Sequence, residues 1–280
     1  MKTYFYIIAI TLATFACTRD AELGEISTSF PGYELPQGRS DADDRIVELY
    51  EKYGSYFLYD YTRRDLIWTF VTNSVAALYY CSPPDVERVG LFLDFIDDVW
   101  LDFYPDDFLR EYLPYKIFLA DTVKYIGNYA TTYYYSRIAA NQIALAFCSD
   151  TLLHLTPATK LDYKTWLNQQ LWTEMYVNIL EMPAEYFAIT DYTKVTNNTT
   201  ESPDYYRTRG FFQNISTMYL MTHQNDLYNF FYYVMEASYA TLEPTLVAYP
   251  LLKRKYDIMR AHLIERYGVD IRQITDTTYE

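Results

Sequence analysis

Histidine and cysteine each occur only three times in the 280 residues. His154, His223 and His262 are far apart, and no two stand at a spacing that places two ligands on one metal. Cys148 and His154 form a Cys-x5-His pair, which is too loose a pattern to specify a site alone. Most metal-centre and triad chemistries are therefore short of residues. Glycine is also scarce, at 8, and so few tight turns argue against an all-β sandwich or barrel. Bases are outnumbered, 23 Lys and Arg against 37 Asp and Glu, for a net charge of -14. A chain this acidic is repelled by phosphate backbones, which excludes nucleic acid as a partner. No Gly-x-Ser-x-Gly, Walker loop or Gly-x-Gly-x-x-Gly is present.

Aromatic residues are abundant instead, with 33 Tyr and 16 Phe in a chain that is 50% hydrophobic. That is enough apolar material for a sizeable core and excludes a disordered chain.

The first segment reads as an address. Lys2 supplies a positive start, and Tyr4 to Ala13 is an apolar run of signal-peptide length, too short to span a bilayer. It ends in Ala16-Cys17, the pattern of bacterial lipoprotein signals whose cysteine is lipidated, although Phe15 stands where a small residue is usual. Residues 1–17 are thus expected to be a lipoprotein signal, with Cys17 the lipidated residue of an exported protein tethered to the membrane. Residues 18–40 carry Gly24, Pro31, Gly32, Pro36 and Gly38 and read as a flexible linker. Residues 41–280 read as one domain, since no repeat or composition shift divides them. Its two cysteines, Cys81 and Cys148, are either joined or two buried thiols, and their spacing does not decide.

Asp41 or Asp43 is placed to cap a helix to about Tyr53, with Gly54 as its stop. Tyr56 to Tyr61 and a stretch within 67–80 read as strands. Asp85 can cap a helix to about Phe103 with an apolar stripe from Val86 to Val99. Asp106 to Tyr112 is a short helix between Pro105 and Pro114, and 116–120 and 143–147 read as buried strands. Helices are expected over 162–181, 226–240 and 251–267, the last stopped by Gly268, with a polar loop over 193–203. Helices and short strands mix without a βαβ rhythm, so the fold class is α+β, mostly helical with a small mixed sheet.

Asp94, Asp98 and Asp102 recur every four residues and share one helix face. They lack the Asp-x-Asp-x-Asp-Gly loop of a calcium site, and a solvated outer face explains them without a metal. Among the aromatic runs, Tyr133, Tyr134 and Tyr135 look like an exposed loop or strand edge whose rings can stack on a ligand, whereas the helical runs read as packing.

Several segments together carry a resemblance. They are Tyr50 to Gly54 (Tyr-Glu-Lys-Tyr-Gly), Tyr59-Asp60, Phe103 to Leu109, Leu113 to Leu119, Pro183 to Tyr186, Arg209 to Phe212, and Lys255 to Ile274. In this order and spacing the chain resembles the zinc-binding metallopeptidase lipoproteins of Bacteroidota, encoded beside outer-membrane nutrient importers. The resemblance implies a zincin-like fold and H-E-x-x-H on a helix before the Pro-x-Glu-aromatic segment, with a third ligand on a later helix. Here that helix reads Trp172-Thr-Glu-Met-Tyr-Val-Asn178. Glu174 matches the catalytic Glu, Thr173 and Val177 stand where the histidines belong, and Asn229 or a neighbour replaces the third ligand, with Asp226 surviving nearby.

The resemblance therefore implies a zincin scaffold with a vestigial Glu174, no zinc and no other cofactor. It further implies an outer-membrane lipoprotein serving a TonB-dependent transporter and its surface lipoprotein, with a Tyr-lined cleft for a peptide or glycan. The rival readings are a hydrolase pairing Glu174 with Asp226 as acid and base, and a purely structural importer subunit.

Overall fold

The computed structural model describes residues 33–67, 79–139, 141–196, 203–215 and 219–280. The expected signal, Cys17, residues 18–32 of the linker, most of the strand expected within 67–80, and most of the 193–203 loop's second half lie outside the described residues. Residues 35–280 form one unit. Near its start the Gln37 side chain donates to Asp60 O at 2.7 Å and accepts from the Tyr59 amide at 2.9 Å.

Helix α1 (Asp43–Tyr53) buries Ile46 and Tyr53 and ends at Gly54, whose φ of 72° lets its amide reach Tyr50 O at 2.7 Å. Neither Asp41 nor Asp43 caps it; the cap position is Ala42. Asp43 lies one residue too far along, and its carboxylate turns back to accept from the Gly38 and Ser40 amides and the Tyr59 hydroxyl. Strand β1 (Tyr56–Leu58), helix α2 (Arg63–Ile67) and strand β2 (Tyr79–Cys81) follow. Asp85 caps as expected, but it opens a 3-10 turn, Val86–Arg88, that feeds α3 (Val89–Val99). Val89, Phe92, Phe95, Ile96 and Val99 are buried along one stripe. A second 3-10 turn and Pro105 separate α3 from α4 (Asp106–Tyr112).

Five strands come next: β3 (Lys116–Leu119), β4 (Val123–Ile126), β5 (Thr131–Tyr134), β6 (Ser136–Ala139) and β7 (Gln142–Leu145). The buried pair β3 and β7 match the sequence expectation. The half-exposed β4, β5 and β6 do not announce themselves, because short Tyr- and Thr-rich strands gain their order from pairing rather than from an apolar run. Parallel β1, β3 and β7 with antiparallel β6 form one sheet in the order β1-β3-β7-β6, so β6 is an edge. A second, antiparallel sheet has the order β2-β4-β5.

Thr156 caps α5 (Pro157–Gln170), accepting from the Thr159 amide at 3.1 Å. The long helix expected over 162–181 thus starts earlier and is not uniform. A π-helical turn, Leu171–Tyr176, interrupts it before α6 (Val177–Ile179). Short helices α7 (Ala184–Phe187) and α8 (Tyr205–Thr208) lead to α9 (His223–Glu236). Thr222 starts α9 three residues ahead of the expectation by accepting from the Asn225 amide. Ser238 caps α10 (Tyr239–Ala248), followed by α11 (Pro250–Tyr267), stopped at Gly268, and α12 (Ile271–Asp276).

The core lies between the four-stranded sheet and the helices α3, α5, α9 and α11. Trp172 stacks on Phe231 at 4.7 Å, and its Nε1 donates to the Tyr104 hydroxyl, which in turn donates to Asn168 Oδ1 at 2.9 Å. Buried Lys164 of α5 donates to Ile274 O and Thr277 O, at 2.6 Å each. The fold is α+β and mostly helical. Among the described residues no helix is long and apolar enough to cross a membrane.

Candidate functional site

Edge strand β6 packs on α5 and the π-helical turn. This brings Arg137 of β6 to Glu174 of the turn, with Nη1 and Oε2 3.6 Å apart and the side chains 30% and 33% exposed. A π turn inserts a residue into a helix and is often found where a side chain is re-aimed at a functional surface. Burial pushes the Glu174 carboxyl above its ordinary range, and Arg137 pulls it part of the way back.

An aromatic cluster extends from this pair. The Arg137 guanidinium lies 4.9 Å from the centre of the Tyr79 ring, a cation–π arrangement. Tyr79 contacts Tyr125 at 5.1 Å and Tyr134 at 6.2 Å, and Tyr134 contacts Trp166 at 6.2 Å. On the other side, exposed Tyr228 of α9 feels the Glu174 charge, although burial is the larger cause of its raised hydroxyl. Arg137 Nε and Trp166 Nε1 are buried donors without a partner among the described residues. The cluster therefore gathers a guanidinium, one carboxylate and ring faces beside the half-exposed Arg137–Glu174 pair.

The residues at the positions where the sequence resemblance implies zinc ligands do not fit that metal. Thr173 is buried, and its hydroxyl donates back to Gln169 O at 2.7 Å. Val177 carries no donor atom. Asn229 is buried on α9, with Nδ2 on Met221 Sδ at 3.9 Å. Among the described residues no group of three His, Cys, Asp or Glu is placed to hold a metal.

Asp226 is 1% exposed, 2.6 Å from Lys255 Nζ, and accepts from the Tyr192 hydroxyl at 2.6 Å. Its recorded partners are thus Lys255 and Tyr192, whereas Glu174 is paired with Arg137.

The three consecutive tyrosines separate, because Tyr133 and Tyr134 alternate along β5 while Tyr135 lies in the bend between β5 and β6. Tyr133 is 65% exposed, Tyr134 joins the aromatic cluster, and Tyr135 packs inward on Phe147 and Tyr163. They do not form one face. Sequence reasoning missed Arg137, Tyr79 and Trp166. The available signal was a lone arginine inside a short strand, Ser-Arg-Ile-Ala, whose neighbours alternate inward.

The histidines stay apart as expected. His154 is exposed, His223 stacks on Phe187 at 4.2 Å, and His262 Nε2 is bonded to Glu181 O at 2.8 Å. Asp94 and Asp102 are exposed and Asp98 is half-buried, as expected of a solvated face, and two of the three also form ion pairs. Arg45 bridges Asp94 and Asp97, and Lys160 holds Asp98. Cys81 and Cys148 are free thiols, and burial pushes each up to about 12.

No family model and no curated protein matches the chain. Among solved structures, a "putative zinc-binding metallo-peptidase" from Bacteroides caccae ATCC 43185 is similar over 86% of this chain and 92% of its own, at 11% identity and a TM-score of 0.48. A likeness of that size carries no argument about this chain.

Proposed function

We propose that this chain is a binding or accessory protein of the cell envelope, built on a zincin-like scaffold whose zinc ligands are gone. The observation that carries the reading is the arrangement around Glu174. Thr173 turns its hydroxyl into its own helix, Val177 offers no ligand, and the Glu174 carboxylate is paired with Arg137. The aromatic surface beside that pair captures a peptide or glycan without cleaving it.

The Met1–Cys17 segment supports export and a lipid anchor at Cys17. The resemblance to importer-associated lipoproteins supports an outer-membrane location beside a TonB-dependent transporter. Hydrolysis by Glu174 with Asp226 is disfavoured, because Asp226 is enclosed in the protein interior and engaged by Lys255.

The test is the metal content of the purified domain after incubation with zinc, read with peptide turnover. The reading expects neither bound zinc nor cleavage. One tightly held zinc per chain, or turnover abolished by Glu174→Gln, overturns it.

A further inference from the structure

Asp226 of α9 and Lys255 of α11 meet in a dry enclosure. Lys255 is 0% exposed and Asp226 1%, with Nζ and Oδ2 2.6 Å apart. The ring centres of Tyr186, Tyr192 and Phe211 lie 4.7, 5.5 and 4.7 Å from Nζ.

The hydrogen bonds in this enclosure do not match what a charged pair demands. An ammonium carries three donors. Among the described residues, Asp226 Oδ2 is the acceptor recorded for Lys255 Nζ, and ring faces must serve the rest. Oδ2 also accepts from the Tyr192 hydroxyl. Among the described residues, Asp226 Oδ1 and the Tyr186 hydroxyl are buried without a well-formed hydrogen bond, and they lie close enough to each other to perturb each other's titration. Unpaired lone pairs and donors on buried ions are costly. Burial pushes the Asp226 carboxyl up, against the pull of Lys255, and pushes the Lys255 amine down. Both shifts act against the charged forms and towards the acid and amine that condensation requires.

We propose that Lys255 and Asp226 condense to an intramolecular isopeptide bond that cross-links α9 to α11. The Nζ lone pair adds to Asp226 Cγ and forms the Nζ–Cγ bond. The Cγ–Oδ2 bond then breaks, and Oδ2 leaves as water. One of its protons is the carboxyl's own, and the other comes from Nζ, relayed through the Tyr192 hydroxyl that already contacts Oδ2. Amine and acid become amide and water, and no oxidant, metal or activated co-reactant enters. Oδ1 becomes the amide carbonyl beside the Tyr186 hydroxyl, and the product carries one N–H donor where the ammonium carried three. The enclosing rings exclude the water that would reverse the step.

This inference is independent of the site at Glu174. Its test is tandem mass spectrometry of a tryptic digest of the purified full chain. Trypsin cuts after Arg209, Lys253, Arg254 and Arg260, so Asp226 and Lys255 fall in separate peptides. The expected result is residues 210–253 linked to residues 255–260, lighter by one water than their sum. Recovery of the two regions as separate, unmodified peptides overturns the proposal, as does a link mapped to another pair. The Lys255→Met variant is expected to yield no linked peptide and to migrate more slowly on a denaturing gel. A link that persists in that variant also overturns the proposal. The wild-type digest decides even if the variant folds poorly.

Discussion

Arg137 stands between an acid and a ring, 3.6 Å from the Glu174 carboxylate and 4.9 Å from the centre of Tyr79. Both contacts depend on the placement of an edge strand against a π turn, so this relationship exists only in the folded chain.

Removing the guanidinium leaves burial as the dominant influence on Glu174. Burial raises this carboxyl and Arg137 lowers it, so the titration midpoint in Arg137→Met is expected to rise further. Carboxyl NMR titration of both proteins measures it. An unchanged midpoint would mean that the two charges are not coupled.

Tyr104→Phe removes a hydroxyl that accepts from Trp172 Nε1 at 3.0 Å and donates to Asn168 Oδ1 at 2.9 Å. Both partners are buried, and each orphaned group costs about 1–3 kcal/mol. The urea midpoint is expected to fall with an unchanged slope. A midpoint equal to that of the wild type would show that the network carries no net stability.

The same network marks how far sequence reasoning reaches. The stripe of α3, the buried strands β3 and β7 and the glycine stops at Gly54 and Gly268 were legible, because local periodicity and backbone chirality determine them. Tyr104, Asn168 and Trp172 are 64 and 68 residues apart along the chain in their hydrogen-bonded pairs, and nothing local couples them. The cluster around Glu174 was harder still. Glu174 was found through the motif register, but Arg137, Tyr79 and Trp166 meet only when two sheet edges and a helix pack. Tyr133 to Tyr135 looked like a single feature in the sequence, but alternation parts the first two and the bend after β5 turns the third inward.

Asp270 gives a pH signature. Its carboxyl is held below the ordinary value of 3.8 first by hydrogen bonding to Arg260, whose Nε lies 2.8 Å away. A depressed carboxylate adds stability that is complete above 3.8 and is lost as pH falls through the lower folded value. Asp270→Asn keeps an acceptor for the Arg272 amide but discards the charge. The variant is expected to be less stable than wild type near pH 6, with the gap closing at pH values well below 3.8. A gap that is constant across the acid limb, measured by urea unfolding, would exclude the ion pair as its source.

The thiols of Cys81 and Cys148 are raised by burial to about 12, so almost no thiolate exists at neutral pH. Iodoacetamide is expected to label neither in the native protein and both after unfolding in denaturant. Rapid native labelling, read by intact mass, would show that the thiols are more open than the fold implies.

Lys164 sits in α5, and its two acceptors, Ile274 O and Thr277 O, lie 110 and 113 residues later. Until those carbonyls arrive, its amine must either stay hydrated or be buried without partners. The central helix therefore cannot seat fully on its own. Full burial of α5 is therefore coupled to docking of the last turns of the chain, which close over Lys164 as a latch.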